Sequence, residues 1–147
     1  MLQKYPSDCR VKVLGVYFAN NESTAFQENF GNKLKQVVAI ISGWKRRNLT
    51  IKGKVIVIKS LLLLKFTHLF TALPAPPKRF IDELKRVMFN FVWGEKTDRI
   101  KRGSMYKKYN EGGLAMIEIE TYIAALKITW VRRYLISSQV WAALFYS

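Results

Sequence analysis

The sequence predicts a mainly α fold, a helical bundle with a short N-terminal strand or hairpin. Three observations carry that prediction. Apolar residues recur every three or four positions in several long segments, prolines and glycines punctuate the gaps between them, and a β-branched run with strand character lies near the N-terminus. At 147 residues the chain is large enough to bury one core and small for two, so a single domain is expected.

Residues 11–18, Val-Lys-Val-Leu-Gly-Val-Tyr-Phe, are β-branched and aromatic and predict a short, half-covered strand. Asn20 and Asn21 break it. Thr24, with Gln27 three residues on, has the form of a capping box and predicts a helix start. From there Phe26, Phe30, Leu34, Val37, Ile41 and Trp44 draw one stripe, with Lys33 and Lys35 off it, and Gly31 weakens the helix without abolishing it. Asn48 to Thr50 can cap a second helix over residues 52–73. The run Val55-Ile56-Val57-Ile58 alone favours a strand, but a segment this long with no turn signal after Gly53 is helical.

Leu73-Pro74-Ala75-Pro76-Pro77 ends that helix, because proline removes the amide donor and restricts the residue before it. Pro77 suits the first turn of a third helix with the stripe Phe80, Leu84, Val87, Met88 and Phe91, and Gly94 can end it in a left-handed conformation. Residues 95–113 show no stripe and hold Gly103, Gly112 and Gly113, which predicts a loop or extended linker. Ile123, Leu126, Trp130, Tyr134 and Leu135 then predict a C-terminal helix.

The net charge of +15 comes from 25 Lys and Arg against 10 Asp and Glu, and it is unevenly placed. Residues 44–65 carry Lys45, Arg46, Arg47, Lys52, Lys54, Lys59 and Lys65 with no acid; residues 96–110 carry six positive residues against Asp98. Such blocks favour a polyanionic partner, since each neutralised phosphate releases condensed counterions. Lys52 and Lys59, and less closely Lys45, recur at seven-residue spacing, which returns to one helix face every two turns while Val55, Ile58 and Leu62 face the core. Lys101, Arg102, Lys107 and Lys108 are interleaved with Tyr106 and Tyr109, rings that could stack on bases or ribose.

Catalytic chemistry finds little support. Polymerase-type phosphoryl transfer needs clustered carboxylates to hold two metal ions, and the aspartates are Asp8, Asp82 and Asp98, far apart in sequence. His68 has neither a nucleophile nor an orienting carboxylate at a helical offset, so a packing or capping role is expected for it. Ser42, Ser60 and Ser104 lack a paired base, and no phosphate loop is present. Cys9 is the lone cysteine, which excludes an internal disulfide and a cysteine-based zinc site. The N-terminal residues do not read as a signal peptide, and the apolar stretch around Leu61 to Leu64 is interrupted by Lys59 and Lys65, so no integral membrane segment is expected.

Taken in order, Lys12 with Val13-Leu14-Gly15-Val16, then Trp44, Arg47, Leu49, Thr50, Gly53, Lys54 and Lys59, then Phe89, Phe91, Trp93 and Gly94, then Arg99-Ile100-Lys101-Arg102, Gly112-Gly113-Leu114, Tyr122, Ala125 and Trp130 resemble the part of a LINE-type (non-LTR) retrotransposon reverse transcriptase that follows its catalytic motif. The resemblance spans roughly residues 12–134. Leu64 and Ile117 depart from it, at positions where that family often has proline.

The resemblance implies a primer-grip-like strand region over residues 1–20, a helical thumb-like domain over 21–94, a basic linker over 95–113 and a C-terminal helical segment over 114–147. It also implies an RNA-directed DNA polymerase fragment that grips the template-primer duplex without catalytic residues of its own, with magnesium held only in a palm region outside this chain. Leu14 and Gly15 would lie near the primer end, with Lys12 beside them. Lys52, Lys59, Arg99, Lys101 and Arg102 would meet backbone phosphates, with Lys45, Arg47 and Lys107 as further cationic candidates. RNA, an RNA/DNA duplex and the palm are the implied partners, and an intracellular setting is expected. Two other classes fit the composition: a module that docks on a palm or downstream domain through Trp130, Trp141, Leu144, Phe145 and Tyr146, and a basic helical protein bound at an anionic membrane surface.

Overall fold

The short strand or hairpin expected near the N-terminus is a hairpin, with residues 11–18 divided between two strands. The computed structural model describes residues 10–94 and 96–136, and in it β1 (Arg10–Val13) pairs antiparallel with β2 (Val16–Ala19), Val13 facing Val16 across a reversal at Leu14 and Gly15. Both turn residues have positive φ, 48° and 82°, the geometry of a two-residue turn whose twist matches its strands. Glycine adopts it freely, whereas Leu14 does so at a cost of about 1 kcal/mol. His68 Nε2 donates to the Leu14 carbonyl at 2.9 Å and holds the strained turn. Asp8 and Cys9 lie outside the described residues.

A side chain closes the inner edge of β2. Asn29 Oδ1 accepts from the Tyr17 amide at 2.8 Å, and Asn29 Nδ2 donates to the carbonyls of Tyr17 at 2.7 Å and Ala25 at 2.9 Å. Buried Asn29 thus stands in for a neighbouring strand.

The first helix starts earlier than the capping-box pattern indicates. Asn21 accepts from the Ser23 amide at 2.9 Å and caps α1 (Glu22–Phe26), so the orphan amides are already served before Thr24 is reached. A π turn at Gln27–Gly31 leads into α2 (Asn32–Lys45). Phe30, Leu34, Val37 and Ile41 are buried as the stripe requires, with Phe26 and Trp44 packed at the margin.

Thr50 caps the second rod by accepting from the Gly53 amide at 3.2 Å. α3 (Ile51–Val57), a π turn at Ile58–Leu63 and α4 (Leu64–Ala72) run as one helix of 22 residues. Val55, Ile58, Leu62, Leu63, Phe66, Leu69 and Phe70 are fully buried. Lys59 and Lys65 interrupt the apolar run in sequence, yet the helix continues through both, because lysine is a good helix former whose stem lies along an apolar surface. By length and composition this rod is the one described helix apolar enough to cross a membrane; much of it supplies the core of the bundle.

α5 (Lys78–Trp93) runs back along the rod, entered from extended Pro77 and left through Gly94 at φ 64°. Near its start Phe80 meets Phe26, Phe30 and Phe66 at ring-centroid distances of 5.6, 5.3 and 5.7 Å. Near its end the Val92 carbonyl accepts from Lys54 Nζ at 3.0 Å. Those contacts set the two helices antiparallel.

Where a loop or extended linker is expected, the chain folds. α6 (Arg102–Tyr106) buries Met105, a 3-10 turn follows at Tyr109–Glu111, and the returning segment bonds back through Gly113 N–H to Lys108 O at 2.9 Å, Ala115 N–H to Lys107 O at 2.8 Å and Met116 N–H to Met105 O at 3.0 Å. A Cβ on Gly113 would lie 2.0 Å from the Lys107 carbonyl oxygen, so only glycine fits the return. One helical turn that buries one methionine has no repeat to show in sequence.

α7 (Ile119–Ile136) buries Ile119 and Ile123 and packs Leu126 at the margin, but Trp130 is 47% and Leu135 73% exposed. Trp130 and Leu135, in the second half of the predicted stripe, therefore face outward. Lys127 Nζ donates to the carbonyls of Thr71 and Leu73, placing a cation at the C-terminal end of the rod, where the helix dipole favours it. Burial holds Lys127 below the usual lysine range. Trp141, Leu144, Phe145 and Tyr146 lie outside the described residues.

Lys85 on α5 and Glu120 on α7 form an ion pair. Burial alone would lower Lys85, but the hydrogen bond and charge of Glu120 carry it above the usual range; burial alone would raise Glu120, but Lys85 holds it below. A lowered carboxylate stabilises the fold above the ordinary glutamate range and loses that contribution as pH falls through its folded value; a raised lysine loses its contribution as pH rises through its own. Urea midpoints should accordingly decline on acidification, and part of that decline should vanish in Glu120→Gln. Asn29→Ala should cost about 1–2 kcal/mol in the same assay, because it orphans partly buried hydrogen-bonding groups of Tyr17 and Ala25.

Candidate nucleic-acid interface

The two basic blocks meet at the aromatic end of α5. Arg102 lies 4.2 Å from the Phe89 ring centroid, Tyr106 packs edge-on against the same ring at 6.4 Å, and Lys54 sits 5.9 Å from the Phe91 centroid while bonding the Val92 carbonyl. Lys52, one residue into α3, lies 5.8 Å from the Tyr109 ring centroid. Phe89, Phe91, Val92 and Trp93 are themselves buried, so this end of α5 is a rigid base with cations arranged around it. The Trp93 indole Nε1 is buried there without a hydrogen-bond partner among the described residues.

The periphery of the cluster is polar and open. Lys52, Arg99, Lys101, Arg102 and Lys107 are exposed. Arg102 is paired with Asp98 at 2.7 Å; the other four have no ion pair among the described residues. Arg47 stacks 4.5 Å from the Trp44 ring centroid, in the turn that joins α2 to α3, and Lys45 occupies the last turn of α2. Lys59 lies half-buried within the π turn of the rod.

The hairpin residues form a second, separate group. Leu14 is 89% exposed at the hairpin tip, Gly15 follows it, and Lys12 Nζ lies 4.9 Å from the Tyr17 ring centroid. His68 fixes this tip sixteen residues along the rod from Lys52, about 24 Å at 1.5 Å per helical residue. The candidate residues thus fall into two clusters joined by one helix, with Lys59 on the rod between them.

Of the two rings offered for stacking, Tyr109 is half exposed, but Tyr106 is partly buried against Phe89. Burial raises the Tyr106 phenol above its usual range, partly offset by Lys85. Tyr106 is therefore a packing residue. Lys54 and Phe89 are the organising residues that charge spacing misses. The polar atom of Lys54 is satisfied by a helix-end carbonyl 38 residues away, which no local pattern reveals.

Among the described residues no three of His, Cys, Asp and Glu stand close enough to hold a metal ion. Against models of known protein families, the chain matches none.

Arg102→Ala should loosen α6 without unfolding the bundle, because it removes both the Asp98 pair and the Phe89 stack. Hydrogen exchange should quicken at the Ser104 and Met105 amides, which bond the Lys101 carbonyl, and stay unchanged in the rod.

Proposed function

We propose that this chain grips a nucleic-acid duplex, as the thumb and adjoining linker of a LINE-type reverse transcriptase would. The observation that carries the reading is the convergence of two sequence-distant basic blocks on the aromatic end of α5, with exposed cations left largely unpaired by the protein's own acids. Phosphate contacts of this kind fix register and orientation and carry no base information. The interval between the two clusters, about 24 Å along the rod, spans about seven steps of a nucleic-acid strand at 3.4 Å each. The basic cluster would hold the duplex body, and the exposed hairpin tip with Lys12, Leu14 and Gly15 would approach its end.

In this mechanism the chain positions and does not react. Lys52, Lys59, Arg99, Lys101, Arg102 and Lys107 neutralise phosphates, with Lys45 and Arg47 extending the row. The buried end of α5, with Val55 of α3 buried, keeps those charges in register, which lowers the entropy lost on binding. Catalysis and its magnesium ions would reside in a palm region.

A second reading has its own observation. Ile128, Trp130, Val131 and Leu135 leave an exposed apolar face on α7, which favours docking on a neighbouring domain. The two readings are compatible in one polymerase.

Fluorescence anisotropy with an RNA/DNA hybrid decides the first. Affinity should fall steeply with salt, and replacing Lys52 and Lys59 by glutamine should each reduce the logarithmic salt slope by about 0.9. A flat salt response, or tighter binding to anionic vesicles than to the hybrid, would remove the duplex-gripping reading.

A further inference from the structure

A polar cavity of about 170 Å³ lies between the hairpin and the start of α2, away from the aromatic end of α5. Its walls come from Lys12, Gly15 and Tyr17 on one side and from Asn32, Lys33 and Gln36 on the other. The strand register explains why cations reach it. Lys12 faces Tyr17 across the hairpin, and the alternation of a strand places Arg10 on the same side as Lys12. That side meets the helix, where Glu28 pairs with Arg10 at 2.8 Å.

The cavity's polar groups divide into used and unused. Glu28, the carboxylate in its wall, is engaged by Arg10 and by Asn32 Nδ2, the latter at 2.9 Å. Asn29 is committed to Tyr17 and Ala25. Lys12, Lys33 and Gln36 have no ion pair or hydrogen bond from their side chains among the described residues. Two lysines and a glutamine therefore border one concave site, with Leu69 and Tyr17 as low-dielectric wall. Walls of that kind focus the field of like charges and draw in an anion.

We propose that this cavity binds a phosphate group. Its volume is the share of about five or six liquid waters, enough for one phosphate with close hydration and too little for a whole nucleotide. Lys12 and Lys33 supply charge, and the Gln36 amide supplies a directed donor. The phosphate can be free, terminal on a strand, or internal to one; the proposal leans on the duplex reading for its source alone, not for its binding.

Inorganic phosphate titrated into the full chain in a phosphate-free buffer, followed by calorimetry, tests it. Saturable one-to-one binding is expected, weakened at least tenfold by Lys33→Gln and by Gln36→Glu, and unchanged by Arg132→Gln on α7, an exposed position outside both the cavity and the basic cluster. Non-saturable uptake, or wild-type affinity in both cavity variants, overturns the proposal. Gln36→Glu changes an exposed helical position, so it reports even where Lys33→Gln disturbs folding. Displacement of bound phosphate by a 5′-phosphorylated oligonucleotide but not its 5′-hydroxyl twin assigns a terminal phosphate, displacement by both assigns an internal one, and displacement by neither assigns the free ion. Hybrid binding without phosphate uptake would overturn the cavity and leave the duplex reading standing; phosphate uptake without hybrid binding would do the reverse.

Discussion

Antiparallel packing of α5 against the long α3–α4 rod is the constraint on which the remaining structure depends. One end of the contact is a phenylalanine cluster built by Phe26, Phe30, Phe66, Phe70 and Phe80, and the other joins Phe91 and Val92 to Lys54. Each fully buried side chain along it contributes about 1.5–3 kcal/mol. The Leu73–Pro77 turn sets the direction of return, since its prolines forbid helix continuation. Reversal brings the aromatic C-terminus of α5 back to the N-terminus of α3, and that meeting point is where the cations gather.

Charge adds little to the stability of this fold. The ion pairs Arg10–Glu28, Lys85–Glu120 and Arg102–Asp98 are all partly exposed, and pairs of that kind stabilise by about 0–1 kcal/mol each. With a net charge of +15, self-repulsion opposes compactness, and the apolar core must outweigh it. A surface so weakly compensated gains most when a polyanion supplies the missing negative charge. That asymmetry links the energetics of the bundle to the function proposed for it.

The hairpin follows a different logic from the helices. Two strands alone are marginal in water, and β1 is exposed along its whole length. Its position rests on buried Val16, on the Asn29 amide that mimics a strand edge, and on His68 at the turn. Polar ties are directional, so they orient the tip more tightly than apolar contact of the same size would. Asn29 also borders the polar cavity, whose Lys12 and Lys33 form no ion pair among the described residues.

Helices, their breaks and most of the core were legible in the residues, because a 3.6-residue period and prolines act locally: the stripes through Leu34, Val37, Ile41, Leu84 and Met88 are buried where their spacing places them. The turn at Leu14-Gly15, the cap at Asn21 and the fold around Met105 were not, since each depends on one or two residues with no repeat to announce them. Nor could spacing show that Tyr106 packs inward while Trp130 faces out. The sequence by itself determined which segments are helical and where positive charge is concentrated along the chain. The tertiary structure alone decided which charges stand together, because distances such as Lys52 to Tyr109 and Lys54 to Val92 exist only once α5 has folded back along the rod and the segment after it has closed over its end.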